Sequence, residues 1–171
     1  MMQLTQPAAS RATPASAQYL TFLCDGEEYG VDIRRVQEVK GWDGVTRVPH
    51  TPPCVLGVMN LRGVIVPVIN LRARFGLEVR AFDARTVVIV VRIQGPRGEK
   101  TSGVVVDGVS EVYALAAEAV RPVPDLGGRA DAACISGVTM VGEKMVMILA
   151  IDDLINSSID SQSNQAGGLG R

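Results

Sequence analysis

The 171-residue chain has little of what most enzymes use for catalysis. It contains one histidine, His50, in the proline-rich stretch Val48–Pro53, where a solvated loop residue is more common than a catalytic base. No convincing nucleophilic triad can be assembled around it. Asp152 and Asp153 are adjacent, so on a helix their side chains diverge by about 100°, and capping of a short helix explains them better than a paired acid and base. We therefore predict that the chain is not an enzyme.

The motifs of cofactor and metal sites are also missing from the sequence. No glycine-rich loop ends in Gly-Lys-Ser or Gly-Lys-Thr, and no Gly-x-Gly-x-x-Gly precedes a helical pattern, so no nucleotide site is predicted. The three cysteines, Cys24, Cys54 and Cys134, lie far apart, without the spacing of a zinc site or a disulfide framework. We expect them to be small core residues, and we expect neither a metal nor a cofactor.

Low charge and few aromatic residues argue against two further classes of function. The net charge is −1, from 17 basic and 18 acidic residues, which gives no field to attract a nucleic acid or an anionic membrane. Small barrels that bind nucleic acid need basic grooves with stacking aromatics, yet aromatics make up only 4% here, so this rival reading is disfavoured. The sequence shows no membrane span and no signal peptide, so a cytoplasmic protein is the expectation.

What the chain contains in quantity is valine. Its 25 valines favour pleated strands, and short apolar runs alternate with turn signals through the middle of the sequence. Both ends are polar and lack periodicity, so we predict disordered tails at residues 1–17 and 157–171 around one domain at 18–156. Short helical connectors are predicted at Asp32–Val36, Leu71–Phe75 and Asp152–Ile155. The predicted strands are Tyr19–Cys24, Glu28–Ile33, Gln37–Lys40, Val45–Val48, Gly57–Leu61, Val64–Ile69, Thr86–Ile93, Gly103–Val106, Ser110–Tyr113, Ala119–Val123, Ile135–Met140 and Met145–Ile151.

A polar turn followed by a β-branched run, between Asn60 and Leu71, predicts a hairpin. Gly63 can take the positive φ that a tight turn needs, so Arg62 is expected at the exposed tip. For an arbitrary arginine, a solvated turn position is a commoner explanation than ligand contact. Pro67 cannot donate a ladder hydrogen bond, which predicts a sheet edge or a bulge for this strand. Val64, Val66 and Val68 are expected on one face, and Ile65 and Ile69 on the other.

The sequence also contains an internal repeat of about 70 residues. Gly30–Val39 aligns with Gly103–Val112, Val45–Pro49 with Val120–Pro124, and Gly57–Val58 with Gly137–Val138. Duplicated strand sets of this size predict two small antiparallel barrels, because closure protects strand edges, with a groove between them for a partner. The alternative is chance similarity among strands that are rich in valine and glycine.

The repeat places Val36 and Glu38 in the same positions as Val109 and Glu111. The two barrels are therefore expected to present related apolar and acidic edges to the groove, with exposed valines as interface anchors. The alternative is that the valines of these segments belong to the core. A protein-binding module is the function that the residues favour.

Three segments together resemble the CheW family of chemotaxis coupling proteins. They are Glu28–Ile33 with Val36–Val39, Gly57–Arg72, and Gly103–Val112, and the resemblance runs from about Gln18 to Ile155. It implies an all-β fold of two SH3-like five-stranded antiparallel β-barrels with short connecting helices. It also implies a non-enzymatic adaptor that couples methyl-accepting chemoreceptors to the CheA histidine kinase, in the cytoplasm and recruited to membrane receptor arrays.

The resemblance implies particular contacts as well. Residues that would bind the receptor's cytoplasmic tip are Val36, Glu38, Gly57, Arg62, Val109 and Val112. The CheA regulatory domain would contact Val87, and a second, ring-closing contact would involve Arg121 and Leu126. The chain departs from the family pattern at Asn70, where aspartate is common, and in the loop Gln94–Ser102, which looks longer than usual and bears on the assignment of Val87. The alternative function is a CheW-like adaptor of another chemosensory pathway, for surface motility or second-messenger control.

Overall fold

The computed structural model describes residues 16–124 and 134–159, which form two five-stranded sheets. The strands are β1 Ser16–Cys24, β2 Glu27–Asp32, β3 Val36–Gly41, β4 Val55–Leu61, β5 Val64–Asn70, β6 Val87–Gly95, β7 Gly98–Val106, β8 Gly108–Ala116, β9 Ile135–Val141 and β10 Lys144–Leu149. Helix α1, Leu71–Arg74, follows β5, helix α2 occupies residues 151–159, and 3₁₀ turns lie at Ile33–Arg35 and Ala117–Ala119. The predicted helical connectors all occur.

The two sheets have matching strand orders. Sheet I runs β3-β6-β7-β5-β4 and sheet II runs β8-β1-β2-β10-β9, so strands from both ends of the chain build sheet II. The predicted all-β architecture of two SH3-like five-stranded units is confirmed. The prediction that each unit is wholly antiparallel is wrong, because β5 pairs with β7 and β10 with β2 in parallel. In both cases no tight turn joins the two strands, so nothing forces them to run in opposite directions.

Each sheet is joined across its two edges by one isolated backbone bridge. Thr46 pairs with Val58 in sheet I, and Arg121 pairs with Val138 in sheet II, each through two hydrogen bonds of 2.8 Å. Strands were predicted at Val45–Val48 and Ala119–Val123, and the structure has only these single-residue bridges in their place. Prolines follow both segments and carry no N–H for a longer ladder, so closure of each barrel stops at the bridge.

Two glycines permit these bridges and confirm the internal repeat. Gly57 lies against the carbonyl of Thr46, and a Cβ atom built on Gly57 would overlap it. In sheet II, a Cβ atom on Gly137 would lie 2.9 Å from the carbonyl oxygen of Arg121. The same close approach therefore occurs at matching places in both sheets, as the aligned sequence segments predict.

One hydrophobic core joins the sheets, and a second lies within sheet I. The central core takes residues from both sheets, among them Phe22, Val31 and Ile69. The second core contains Leu61, Val66, Val68, Val88, Val90 and Val105, covered by Trp42 and Phe82, whose ring centroids are 4.3 Å apart. The predicted alternation along β5 is confirmed for its buried half, since Ile69 faces the central core while Val66 and Val68 face the other.

The strand that contains Pro67 was predicted to lie at an edge or a bulge. The edge is wrong, because β5 lies between β7 and β4, but the β4–β5 pairing does shift register between Val55 and Gly57, next to the Val58–Pro67 pair. Pro67 nevertheless pairs on one side only, with Val58 of β4, since the ladder to β7 begins at Val68. The carbonyl of Pro67 accepts a hydrogen bond of 3.1 Å from the Ser102 hydroxyl. A proline is tolerated here because no N–H is needed on the β7 side.

The predicted domain limits need correction at both ends. Ser16 and Ala17 already pair with β8, opposite Ala116 and Leu115. Helix α2 continues through residue 159, and Ser158 is buried and accepts a hydrogen bond of 2.9 Å from Arg74 Nε. The remaining residues of the predicted tails, 1–15 and 160–171, lie outside the described part of the chain.

Two ion-pair sites tie the helices to the turns between strands. The Arg72 side chain, only 7% exposed, donates hydrogen bonds to Asp107 at 2.6 and 2.9 Å and to Asp25 at 3.0 Å. At the matching place in α2, Asp152 pairs with Arg35 at 2.9 Å and accepts a hydrogen bond from the Gln94 backbone N–H. The predicted capping role of Asp152 is therefore wrong, because its carboxylate binds outside its own helix.

The three cysteines are buried, as predicted, and burial raises the pKa of Cys24 to about 12. A thiol of such high pKa stays protonated and unreactive near neutral pH. Throughout residues 16–124 and 134–159, no helix has the length and apolar character needed to cross a bilayer.

Candidate partner-binding site

The tip of the β4–β5 hairpin projects an arginine. Arg62 and Gly63 both have positive φ, +52° and +89°, which is the pattern of a type I′ turn. The Asn60 side-chain oxygen accepts a hydrogen bond of 2.7 Å from the Gly63 N–H and stabilises the turn. Arg62 is therefore held at the tip with its side chain 75% exposed.

Arg62 does not extend freely into solvent, because it pairs with Glu38 at 2.9 Å. Glu38 lies on β3, one edge of sheet I, whereas the hairpin carries the other edge strand, β4. The ion pair thus spans the seam between the two edges of the sheet. Two residues that sequence reasoning assigned to one site are brought together, and both side chains remain accessible to a partner.

Gly57 contributes to this site without facing a partner. It is buried, with φ of +151°, and it lets β4 lie against the backbone of Thr46. Its position sets the direction in which the hairpin leaves the sheet. The structure therefore gives Gly57 a shaping role, and any effect of its substitution on binding would act through the hairpin.

The valines of the predicted groove differ in exposure. Val36 is half-buried and packs against the central core, so the alternative reading as a core residue describes it better. Val109 and Val112 are exposed on β8, the edge strand of sheet II. No hydrogen bond or ion pair among the described residues links these two valines to Glu38 or Arg62. The predicted receptor residues thus fall into two groups, one on the edge strands of sheet I and at its hairpin tip, and one on the edge strand of sheet II.

Sequence reasoning missed three exposed apolar residues near the hairpin. Val39, 41% exposed, follows Glu38 on β3, and Val64 and Ile65 come directly after the turn. The signal for Val39 was its repeat counterpart Val112, which is 48% exposed at the matching place. Val64 and Ile65 could have been found because they directly follow the Arg62–Gly63 turn, which was predicted to lie in solvent.

The residues assigned to the kinase side lie at two hollows, the larger of which also contains Val109 of the receptor set. Val87 is half-buried at the start of β6 and lines an open hollow of about 640 Å³, together with Arg72, Arg80, Arg85, Asp107 and Val109. Arg121 is exposed beside a smaller hollow of about 380 Å³ that Met140 and Met145 also line. Leu126 lies outside the described residues.

Ionisable groups in these regions serve structure. Hydrogen bonds from Arg72 hold the pKa of Asp107 below its ordinary value, and a hydrogen bond from Arg34 does the same for the pKa of Asp32. His50 is exposed in its loop. Within the described ranges, no group of three or more histidine, cysteine or acidic residues is arranged to hold a metal ion.

Two duplicated sheets with exposed aliphatic side chains on their edges define a small β-rich interaction scaffold. A family model for the CheW-like domain matches residues 18–158. The chemotaxis protein CheW of Klebsiella aerogenes is 43% identical over 140 residues, 82% of each chain. Protein FrzA of Myxococcus xanthus is 27% identical over 152 residues, 88% of this chain and 91% of its own.

A solved structure agrees with these relatives. The crystal structure of the scaffolding protein TtCheW from Thermoanaerobacter tengcongensis matches with a TM-score of 0.72 and 31% identity, covering 81% of this chain and 91% of that one. The chain belongs to the family of proteins built on the CheW-like domain. It is an adaptor or scaffold of chemotaxis signalling, and it is not an enzyme.

Proposed function

We propose that this chain couples the cytoplasmic tips of methyl-accepting chemoreceptors to the regulatory domain of the CheA histidine kinase. The observation that carries the proposal is the Arg62–Glu38 pair at the seam of sheet I, accessible and flanked by exposed aliphatic residues. An apolar surface with one charged pair suits an amphipathic helix, which is the form of the receptor tip in this family.

The two kinds of contact have different roles in binding. An exposed ion pair contributes about 0 to 1 kcal/mol, so Arg62 and Glu38 are expected to set the register of the helix more than its affinity. Val39, Val109 and Val112 supply apolar area that loses water on binding. Val36 adds support from below, because it packs between this surface and the central core.

The kinase domain binds at the two hollows in this proposal. Val87 opens onto the larger hollow, and Arg121 lies beside the exposed methionines Met140 and Met145. Leu126 belongs to the second contact by resemblance alone. Val109 of the receptor set also lines the larger hollow, so in this proposal the two partners bind on adjoining surfaces.

The place of action follows from the partners. We expect the protein in the cytoplasm, recruited to membrane receptor arrays through the receptor tips. The alternative is an adaptor of a chemosensory pathway other than flagellar chemotaxis. The similarity to FrzA, a relative that is not named CheW, is the reason to test this alternative. Receptor tips from each pathway, offered in competition, distinguish the two.

The test uses the purified full-length chain, a receptor-tip fragment and the CheA regulatory domain, with each partner measured separately. Arg62→Gln is expected to weaken tip binding by up to about fivefold and to leave kinase-domain binding unchanged, since its side chain lies at the tip site. The matched control is Arg97→Gln, which removes an exposed arginine between β6 and β7. Equal loss of both partners, or an equal effect of the control, would contradict the proposal.

A second variant tests the apolar contribution. Val39→Glu places a charge on an exposed position of β3 and is expected to abolish tip binding while the fold is kept. Val36→Glu is a poorer test, because Val36 packs against the central core and the variant is expected to destabilise the protein. Unchanged tip binding by folded Val39→Glu would count against the proposed surface.

A further inference from the structure

Two exposed valines of β8, Val109 and Val112, lie three residues apart and yet share one face of sheet II. Side chains alternate between the two faces of a strand, so residues separated by three positions ordinarily point in opposite directions. In the pairing of β1 with β8, Val112 lies opposite Leu20. Val109 lies opposite Phe22 in the same pairing. Leu20 and Phe22 both belong to the central core, so both valines lie on the central-core side of the sheet, at its edge.

A β-bulge in β8 produces this arrangement. Between the two paired positions, β1 has one residue, Thr21, whereas β8 has two, Ser110 and Glu111. The extra residue shifts the alternation of β8 by one position, so Val112 returns to the face of Val109. Without the bulge, one of the two valines would point to the opposite face.

The side chain of Thr21 holds the bulge in place. Thr21 is fully buried, and its hydroxyl donates a hydrogen bond of 2.9 Å to the carbonyl oxygen of Glu111. The same hydroxyl accepts a hydrogen bond of 3.1 Å from the Glu111 N–H. One side chain thus serves both backbone groups of a residue that has no paired position on β1.

The matching bulge of sheet I has a different support. Glu38 of β3 pairs directly with Val90 of β6, next to the register shift. Val90 is fully buried and occupies the place that Thr21 has in sheet II, but a valine side chain cannot form a hydrogen bond. Sheet I therefore keeps its bulge through the backbone, whereas sheet II uses a hydroxyl.

We propose that Thr21 is a positioning residue of the receptor site, and that it acts by fixing the bulge that turns Val109 and Val112 toward the same partner. Thr21 is buried and cannot touch the partner, so its effect passes through the backbone of Glu111. Its link to receptor binding rests on the proposed function. The support of the bulge is a property of the chain itself and can be measured without any partner.

The variants Thr21→Val and Thr21→Ser separate the hydroxyl from the space that the side chain fills. Valine nearly matches threonine in shape, and Val90 occupies the matching buried place in sheet I, whereas serine keeps the hydroxyl. The matched control is Thr139→Val, because Thr139 is also buried in sheet II and its hydroxyl has no hydrogen-bond partner in the described structure. All three variants are expected to fold, which circular dichroism and urea unfolding verify.

Hydrogen exchange of the Glu111 amide, followed by NMR, reports on the bulge directly. Exchange in Thr21→Val is expected to be faster than in the wild type by at least about tenfold, because the N–H loses its acceptor. Thr21→Ser and Thr139→Val are expected to keep the slow exchange of the wild type. A slow Glu111 amide in Thr21→Val would overturn the support of the bulge by Thr21.

Binding of a receptor-tip fragment tests the positioning role. Thr21→Val is expected to weaken binding about three- to fivefold, because part of one valine contact is lost when the bulge is no longer fixed. Thr21→Ser is expected to restore wild-type affinity, and Thr139→Val is expected to keep it. Unchanged affinity of Thr21→Val together with a fast Glu111 amide would overturn the positioning role.

The two measurements separate this inference from the proposed function. If Arg62→Gln weakens tip binding but Thr21→Val does not, the positioning role is wrong and the coupling function stands. If the wild-type chain does not bind the tip at all, the proposed function and the positioning role are both overturned, and the exchange rate still decides whether Thr21 holds the bulge. Equal losses of affinity in Thr21→Val and Thr139→Val would also overturn the role of the Thr21 hydroxyl.

Discussion

Sheet I and sheet II share one strand order but fill their interiors differently. Sheet I has an apolar core of its own, with Trp42 and Phe82 over it. Sheet II places Thr21, Glu28 and Thr139 at buried positions. A buried polar group costs stability unless it is paired, whereas apolar packing adds to it. Sheet I also buries Asn70 and Ser102, but both are hydrogen-bonded, whereas Glu28 and Thr139 each keep a buried oxygen without a partner among the described residues. We therefore expect sheet II to be the less stable copy of the duplicated unit.

The ion pairs between helices and turns also differ between the two copies. The helix supplies the cation in α1, through Arg72, and the anion in α2, through Asp152. Arg72 of α1 is nearly buried between Asp25 and Asp107, whereas Asp152 of α2 and its partner Arg35 are about one-third exposed. Both links join a helix that follows β5 or β10 to a connection between the two sheets, at Asp107 or at Arg35. The arrangement has survived duplication even though the residues that form it have changed sign.

The largest expected effect comes from closing the space at the two bridges. Gly57→Ala is expected to lower the free energy of unfolding by about 3 to 5 kcal/mol, because it adds backbone strain to a collision with a carbonyl. Gly137→Ala is expected to cost about 1 to 3 kcal/mol, because its φ is ordinary and only steric contacts oppose the Cβ atom, with the Val120 side chain at 2.6 Å and the Arg121 carbonyl oxygen at 2.9 Å.

Urea unfolding followed by fluorescence of Trp42 measures both glycine variants. Gly41→Ala is the control, because a Cβ atom there meets nothing within 4 Å and its φ is not positive. A larger loss of unfolding free energy for Gly137→Ala than for Gly57→Ala would contradict this account of the two bridges.

The two ion-pair links give the next largest effect. Arg72→Gln is expected to lower the free energy of unfolding by about 2 to 3 kcal/mol, since it leaves two carboxylates without their buried cation. Asp152→Asn is expected to cost about 1 kcal/mol or less, because its partner Arg35 is partly exposed. Equal costs in urea unfolding would show that burial does not separate the links.

The pH dependence of stability tests the buried ion pair of Arg72 and Asp107 further. The pKa of Asp107 is held below its ordinary value of 3.8 by Arg72, so the stabilisation is present above that value and is lost as the pH falls through the lowered pKa. Asp107→Asn is therefore expected to be less stable at pH 7 and to lose stability less steeply below about pH 4. Unfolding curves between pH 7 and pH 2 measure this, and parallel curves for the two proteins would contradict it.

The smallest expected effect on stability belongs to the proposed binding residues. Arg62→Gln is expected to change the free energy of unfolding by less than about 1 kcal/mol, because the Arg62 side chain is 75% exposed. A change as large as that of Arg72→Gln would mean that the seam of sheet I is a structural support.

Much of this fold follows from local sequence. Valine alternation, turn residues and the repeat predict the strands, the hairpin with Arg62 at its tip, and the duplicated architecture. Pro67 was misplaced because its one-sided pairing depends on where the β7 ladder begins, which is a tertiary fact. The tail limits were misplaced because Ser158 is buried by contacts with Arg74 and its own helix.

The site was less predictable, for a physical reason. The register shift between Val36 and Glu38 interrupts the alternation of β3, so the exposure of Val39 and the inward packing of Val36 could not be assigned from period two alone. The Arg62–Glu38 contact exists only once the two edges of sheet I approach each other. Neither a bulge nor a seam leaves a periodic signal in the sequence.

The most direct test of the account captures the kinase domain on beads that carry the receptor-tip fragment. Wild-type chain is expected to retain the CheA regulatory domain on the beads, and no retention is expected without it. Arg62→Gln is expected to lose most of this retention while still forming its complex with the kinase domain in solution. Full retention with Arg62→Gln, or retention without the chain, would contradict the account.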